Sequence, residues 1–276
     1  MKHRREIKNP GLFEATASYY SRYRRGYPPE AIEALVRRFD LDSSTGVLDL
    51  GCGTGQIAIP LAERGIPVIA VDPDVEMLAE GLRAEQATGT TGIAWMRGND
   101  ATLELLHLGP IVLCTMGASF HWMERDTVLA ALDRMIVDDG GIAVLSGDSV
   151  WRENESHDDL VTERTWSSVV RETVLGFLGA ERRAGTGTYR HPADRHEVVL
   201  ARSAFNKVDK LSFSARQELT TEEIIGLQLS TSYASPAQLG PRLGEFESAL
   251  RTRLLRLSPS GVFDGETTTE LLIATR

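Results

Sequence analysis

Along the first half of the chain, short apolar runs alternate with stretches in which apolar residues recur every third or fourth position. Residues 12–25 read as a helix, with Leu12, Phe13, Ala17, Tyr20 and Tyr23 near helical spacing, broken by Gly26-Tyr27-Pro28-Pro29. A second helix is expected over residues 29–39, because proline is tolerated in a first turn. Strands are expected at 47–50, 67–72, 93–96, 111–116 and 141–146, with helices at 74–87 and 124–136. Pro60 falls inside the helix expected after the first strand and should kink it or delay its regular part. Alternation of this kind argues for a parallel sheet with helices on both faces.

Beyond Asp148 the alternation stops. Residues 151–179 read as mostly helical and polar, and 184–196 as a loop rich in glycine, arginine and histidine. Two long strands are expected at 205–219 and 262–275, with helices at 221–229 and 236–257 between them. The pattern suggests one domain: a ligand-binding core over 29–148, a cap over 150–200, and sheet strands with helices returning over 205–276.

The most informative stretch is Val47-Leu48-Asp49-Leu50-Gly51-Cys52-Gly53-Thr54-Gly55. Glycines at alternate positions after a strand allow a tight turn and close approach of the backbone to a ligand. A pyrophosphate-binding turn wants a third glycine where Gln56 stands, which weighs against a nicotinamide dinucleotide and an oxidoreductase. Asp49 suits a cationic ligand better than a phosphate. Asp72, at the end of the second strand, is placed to accept both hydroxyls of a ribose.

These residues resemble the motifs of class I S-adenosylmethionine-dependent methyltransferases. Asp49 to Gly55 resembles the first motif, Val71-Asp72-Pro73 the second, and Gly98-Asn99-Asp100-Ala101 the third. Thr115-Met116-Gly117-Ala118-Ser119-Phe120-His121-Trp122 resembles the stretch after strand four in the bacterial "type 11" small-molecule group. So does the upstream Tyr19-Tyr20-Ser21-Arg22-Tyr23-Arg24-Arg25-Gly26-Tyr27-Pro28. The resemblance implies an α/β, Rossmann-like, seven-stranded and mostly parallel sheet with one antiparallel strand, N-terminal helices and a helical cap insertion. It implies S-adenosyl-L-methionine as cofactor, with Asp49, Gly51, Gly53, Asp72, Asp100, Ala101 and Met116 contacting it. Asp100 would meet the adenine amine, and Tyr20 and Arg24 the methionine carboxylate.

His121 is the candidate catalytic base, because the strand-four stretch sets it near the sheet's carboxyl edge; the alternative is a histidine packed structurally beside Trp122. No carboxylate cluster accompanies that stretch, so no metal is expected. His157, His191 and His196 fall in the cap, where solvated side chains are the ordinary expectation. Arg182, Arg183, Arg190 and Arg195 there either form a solvated loop or grip an anionic acceptor. Phe120, Trp122, Trp151, Trp166 and Tyr189 are core or line an apolar acceptor pocket.

Charge and cysteine content narrow the reading further. The formal net charge is -9, which works against nucleic acid, although the basic N-terminus and the cap arginines leave an RNA methyltransferase as the rival enzyme. A non-catalytic cofactor-binding protein is the rival outside enzymes. Two cysteines, Cys52 and Cys114, make no disulfide framework or zinc spacing, no apolar stretch approaches the roughly 20 residues that span a bilayer, and no leader pattern is evident. A cytoplasmic enzyme with a small-molecule methyl acceptor and no membrane partner is the expectation.

Overall fold

The computed structural model describes residues 13–106, 108–147, 150, 164–181, 183–185, 187–188 and 193–276. Leu12, Trp151, His157, Arg182, Tyr189, Arg190, His191 and the basic N-terminal run lie outside these residues. The chain divides into two units, one comprising residues 25–147, 191–214 and 268–276, the other residues 1–24, 148–190 and 215–267.

The first of these holds β1 (Val47–Leu50), β2 (Val68–Asp72), β3 (Ile93–Arg97), β4 (Ile111–Gly117) and β5 (Ile136–Ser146), which pair in parallel. Two long strands, β8 (Lys207–Thr220) and β9 (Val262–Thr275), complete a seven-stranded sheet of order β3-β2-β1-β4-β5-β9-β8. Antiparallel pairing of β9 with β5 confirms the expected reversal from parallel geometry. Strand order reverses between β1 and β4, which is where open α/β sheets bind ligands beyond their carboxyl ends.

Side chains alternate between two buried faces, as period-two strands require. Leu48, Leu50, Cys114, Met116, Ile142 and Val144 pack with α5 (Arg125–Asp133) and α7 (His196–Ala201). Val47, Val68, Ala70, Leu113, Ala143 and Leu145 face α2 (Pro29–Arg38) and α3 (Ala58–Ala62). Both faces are apolar, which is why the strand sequences read as runs rather than as alternation. Helix α3 is only five residues long, and Pro60 sits in its first turn, where an amide N–H has no partner to lose. Helix α4 (Val75–Thr88) is capped by Asp74, whose Oδ1 accepts from Glu76 N–H at 2.8 Å.

In the other unit, α1 (Ala17–Tyr23), α6 (Trp166–Leu178), α8 (Thr221–Leu229) and α10 (Leu243–Leu257) enclose a separate core of Val170, Val174, Ile224, Phe246, Leu250 and Leu254. Gly226 lets α1 lie close, since a Cβ there would stand 2.2 Å from the Tyr23 ring. The helix expected over 236–257 is interrupted: α9 (Pro236–Leu239) ends at Gly240, with φ 53°, and a 3-10 turn leads into α10. A short hairpin of β6 (Arg183–Ala184) and β7 (Gly187–Thr188) occupies part of the predicted loop. The described residues between 150 and 190 thus go with the helices, whereas α7, at the end of the predicted cap, packs with the sheet. Among the described residues no helix is long and apolar enough to cross a membrane.

Candidate functional site

The turn after β1 brings Asp49, Gly51, Gly53 and Asp72 together. Gly51 and Gly53 adopt φ of 71° and 54°, the left-handed region that side chains disfavour. The N–H groups of Gly51 and Cys52 donate to the Val71 carbonyl at 2.7 and 3.1 Å, folding the turn over the end of β2. A Cβ on Gly51 would lie 2.5 Å from the Ser119 Cβ. Ser119 itself donates from Oγ to the Leu50 carbonyl at 2.8 Å, so the turns after β1 and β4 are tied directly.

Asp72 is buried, and its carboxylate organises the same turn. Oδ2 accepts from Gly53 N–H at 2.9 Å and Oδ1 from Asp74 N–H at 2.9 Å, leaving one acceptor position on each oxygen. Burial raises its pKa to about 6, against the pull of those two hydrogen bonds.

Asp49 is 1% exposed and lies on the sheet face covered by α3. Its register partner across β1 and β4 is Thr115, whose hydroxyl donates to Oδ1 at 2.8 Å. Ala58 N–H also draws the carboxylate's pKa down, yet Oδ2 has no hydrogen-bond partner among the described residues. Desolvation dominates and raises the pKa to about 7. A buried carboxylate oxygen without a partner is costly unless a ligand supplies one. A cofactor with a cationic end and a ribose fits this set of groups.

Asp100, after β3, accepts from Glu124 N–H at 2.9 Å through Oδ2, while Ala101 is exposed. Met116 is fully buried in the apolar core and pairs with Val144 of β5. Beyond β4 the chain turns through Ala118, which has φ 49°, and buries Phe120 completely. That anchor leaves His121 and Trp122 half-buried at the sheet's carboxyl edge, ring centroids 4.6 Å apart.

Tyr20 and Arg24 belong to the other unit and stand together there. The Arg24 guanidinium lies 5.4 Å from the Tyr20 ring centroid, and its Nε donates to Ser230 Oγ at 2.9 Å. Among the described residues Arg24 forms no ion pair with a carboxylate.

Comparisons with known proteins agree with this geometry. The methyltransferase-domain family model matches residues 47–140, from β1 into β5. An uncharacterized methyltransferase of Mycobacterium tuberculosis strain H37Rv is 28% identical over 231 residues, covering 82% of this chain and 80% of the relative. Residues 47–140 are a methyltransferase domain, and the chain is similar to methyltransferases along most of its length. A solved methyltransferase of Thiobacillus denitrificans, in complex with S-adenosyl-L-homocysteine, shares the fold of this methyltransferase. Its TM-score is 0.51 at 13% identity, covering 97% of this chain and 99% of that one.

Three groups beside this candidate site were given no role from sequence. Thr115 and Ser119 are polar residues in and just after an apolar strand, a signal that was available. His196 was expected to be solvated, yet its ring packs 5.1 Å from Phe120 and 6.4 Å from His121. No local pattern marks that meeting. Among the described residues, no three His, Cys, Asp or Glu side chains cluster as metal ligands.

Proposed function

We propose that this methyltransferase moves the methyl group of S-adenosyl-L-methionine to an O, N or C atom of a small metabolite, which its arginines allow to be anionic. The observation that carries the cofactor side is the buried Asp49 with its unpartnered Oδ2 beside the left-handed glycine turn. Asp49 receives the cofactor's cationic end, and the turn at Gly51 and Gly53 gives it close backbone approach. Asp72 uses its two remaining acceptor positions for the ribose hydroxyls. Asp100 and Ala101 border the adenine, and Met116 lies in the strand beneath the site.

When bound, the cofactor supplies a sulfonium methyl whose leaving group departs as a neutral thioether. The protein's task is therefore mainly to hold the acceptor in line with that methyl. Where the acceptor is an alcohol or an ammonium, a base must also take its proton, and we assign that role to His121. The half-buried His121–Trp122 pair suits a small, partly apolar acceptor, and the net charge of -9 disfavours a polyanion.

Incubation of the protein with methyl-labelled cofactor and a bacterial extract fractionated by size tests the acceptor class. Label is expected in the low-molecular-weight fraction and insensitive to ribonuclease. Label confined to ribonuclease-sensitive material would replace the small-molecule reading with an RNA acceptor, and no label would favour a cofactor-binding protein.

A further inference from the structure

The third glycine of the ligand turn is shaped by a side chain two strands away. Gly55 closes the turn, donating its N–H to the Cys52 carbonyl at 3.0 Å, and its own carbonyl accepts from Ile59 N–H of α3 at 3.0 Å. Its φ is 89°, and a Cβ there would stand 2.7 Å from Trp95 Cη2. The edge of the indole thus fills the place of the missing side chain. Trp95 belongs to β3 and lies in one cross-sheet row with Ala70, Asp49 and Thr115. Ala70, between Trp95 and Asp49, carries a single methyl group, which gives the indole room to reach the turn after β1.

Helix α4 holds the same ring. At Gly81 a Cβ would lie 2.4 Å from Trp95 Cη2 and 2.5 Å from Cζ3. Glycine is disfavoured inside a helix, and here it makes the notch that admits the indole. One turn further along α4, Glu85 accepts a hydrogen bond from Trp95 Nε1 at 2.7 Å. Glu85 is buried, a cost for a carboxylate that this bond helps to offset. Packing alone would let a flat ring slide in its notch, whereas a directed N–H bond sets how far its edge extends toward Gly55.

We propose that Trp95, set by Gly81 and Glu85, is a positioning residue for the cofactor turn. Its edge fixes Gly55, and through Gly55 the backbone of Gly53, whose N–H binds Asp72 at 2.9 Å. A binding constellation holds its ligand only while its groups stay within about 0.5 Å of their productive places. Freeing the indole edge lets the turn open and weakens the hold on the cofactor. The inference rests on the reading of that turn as the cofactor's seat.

The test is calorimetry of S-adenosyl-L-homocysteine binding to the full-length protein, with urea unfolding of each variant beside it. Glu85→Gln keeps an oxygen acceptor for the indole N–H and is expected to bind as the wild type does. Glu85→Leu strips the indole of that acceptor, and Trp95→Phe withdraws the ring edge from Gly55. Each is expected to raise Kd at least about fivefold, whatever its effect on unfolding. Equal Kd values in the wild type, Glu85→Leu and folded Trp95→Phe overturn the positioning role and leave Trp95 as packing. Equal losses in Glu85→Gln and Glu85→Leu overturn the part given to the indole hydrogen bond. Asp72→Ala separates the two readings. If it alone loses affinity, only the positioning role fails; if it also binds unchanged, the turn is not the cofactor's seat and the inference falls with that reading.

Discussion

Replacing Asp49 with asparagine should make the protein more stable and a poorer binder of its cofactor. In the folded chain burial holds the Asp49 pKa at about 7, whereas an unfolded chain has an aspartate near 3.9. Between those values the folded state binds a proton that the unfolded state does not, so stability declines as pH rises from about 4 to about 7. At about 1.4 kcal/mol per unit, ionised Asp49 costs on the order of 4 kcal/mol above pH 7. The side chain of Asp49→Asn would keep an acceptor for the Thr115 hydroxyl, now at 2.8 Å, and carry no charge. Its amide group, set where Oδ2 has no partner, costs about 1–3 kcal/mol in return. A net gain of about 1–3 kcal/mol is expected at pH 8, vanishing by pH 5, where the wild-type side chain is protonated. Cofactor binding should respond with the opposite sign. Loss of a charge-assisted hydrogen bond worth about 1.5–3 kcal/mol weakens affinity by roughly 10- to 150-fold at pH 8. Denaturant unfolding of the free protein at both pH values, with calorimetry of S-adenosyl-L-homocysteine binding, reads both effects. A variant no more stable at pH 8 and equally tight in binding would refute the reasoning.

Asp72→Ala should weaken S-adenosyl-L-homocysteine binding at least about tenfold by calorimetry, since it removes the proposed ribose acceptors; an unchanged Kd in a folded variant would place the ribose elsewhere. Gly51→Ala should destabilise the protein by at least about 2 kcal/mol in urea unfolding, from left-handed strain and the contact with Ser119. A smaller loss would mean that the turns after β1 and β4 can part. Once an acceptor is in hand, His121→Gln should lower turnover by about 10²–10⁴-fold and remove the acidic limb of the rate profile near pH 6–7. Near-normal turnover with that limb intact would leave positioning as the mechanism.

What the chain declares locally is the set of elements and the ligand turn. Strand and helix periods, the Asp74 cap and the alternate glycines at Gly51 and Gly53 are properties of a few neighbouring residues, and they are legible as such. Some local readings went astray. The helix over 236–257 is cut at Gly240-Pro241, a glycine–proline break available to inspection, and β5 starts at Ile136 rather than Gly141 because Ile136 pairs with Ile111. The chemistry of the groups depends on partners far along the chain. Asp49 is only an acid in a strand until β4 pairs with β1, sets Thr115 opposite it and, with α3, removes it from water. His196 is one histidine among several until the fork of Arg202 on Asp126 and Asp194 fixes α7 beside the turn after β4. Desolvation and charge pairing are set by what the fold brings near a group, so the raised pKa and the unpartnered oxygen of Asp49 belong to the tertiary structure alone.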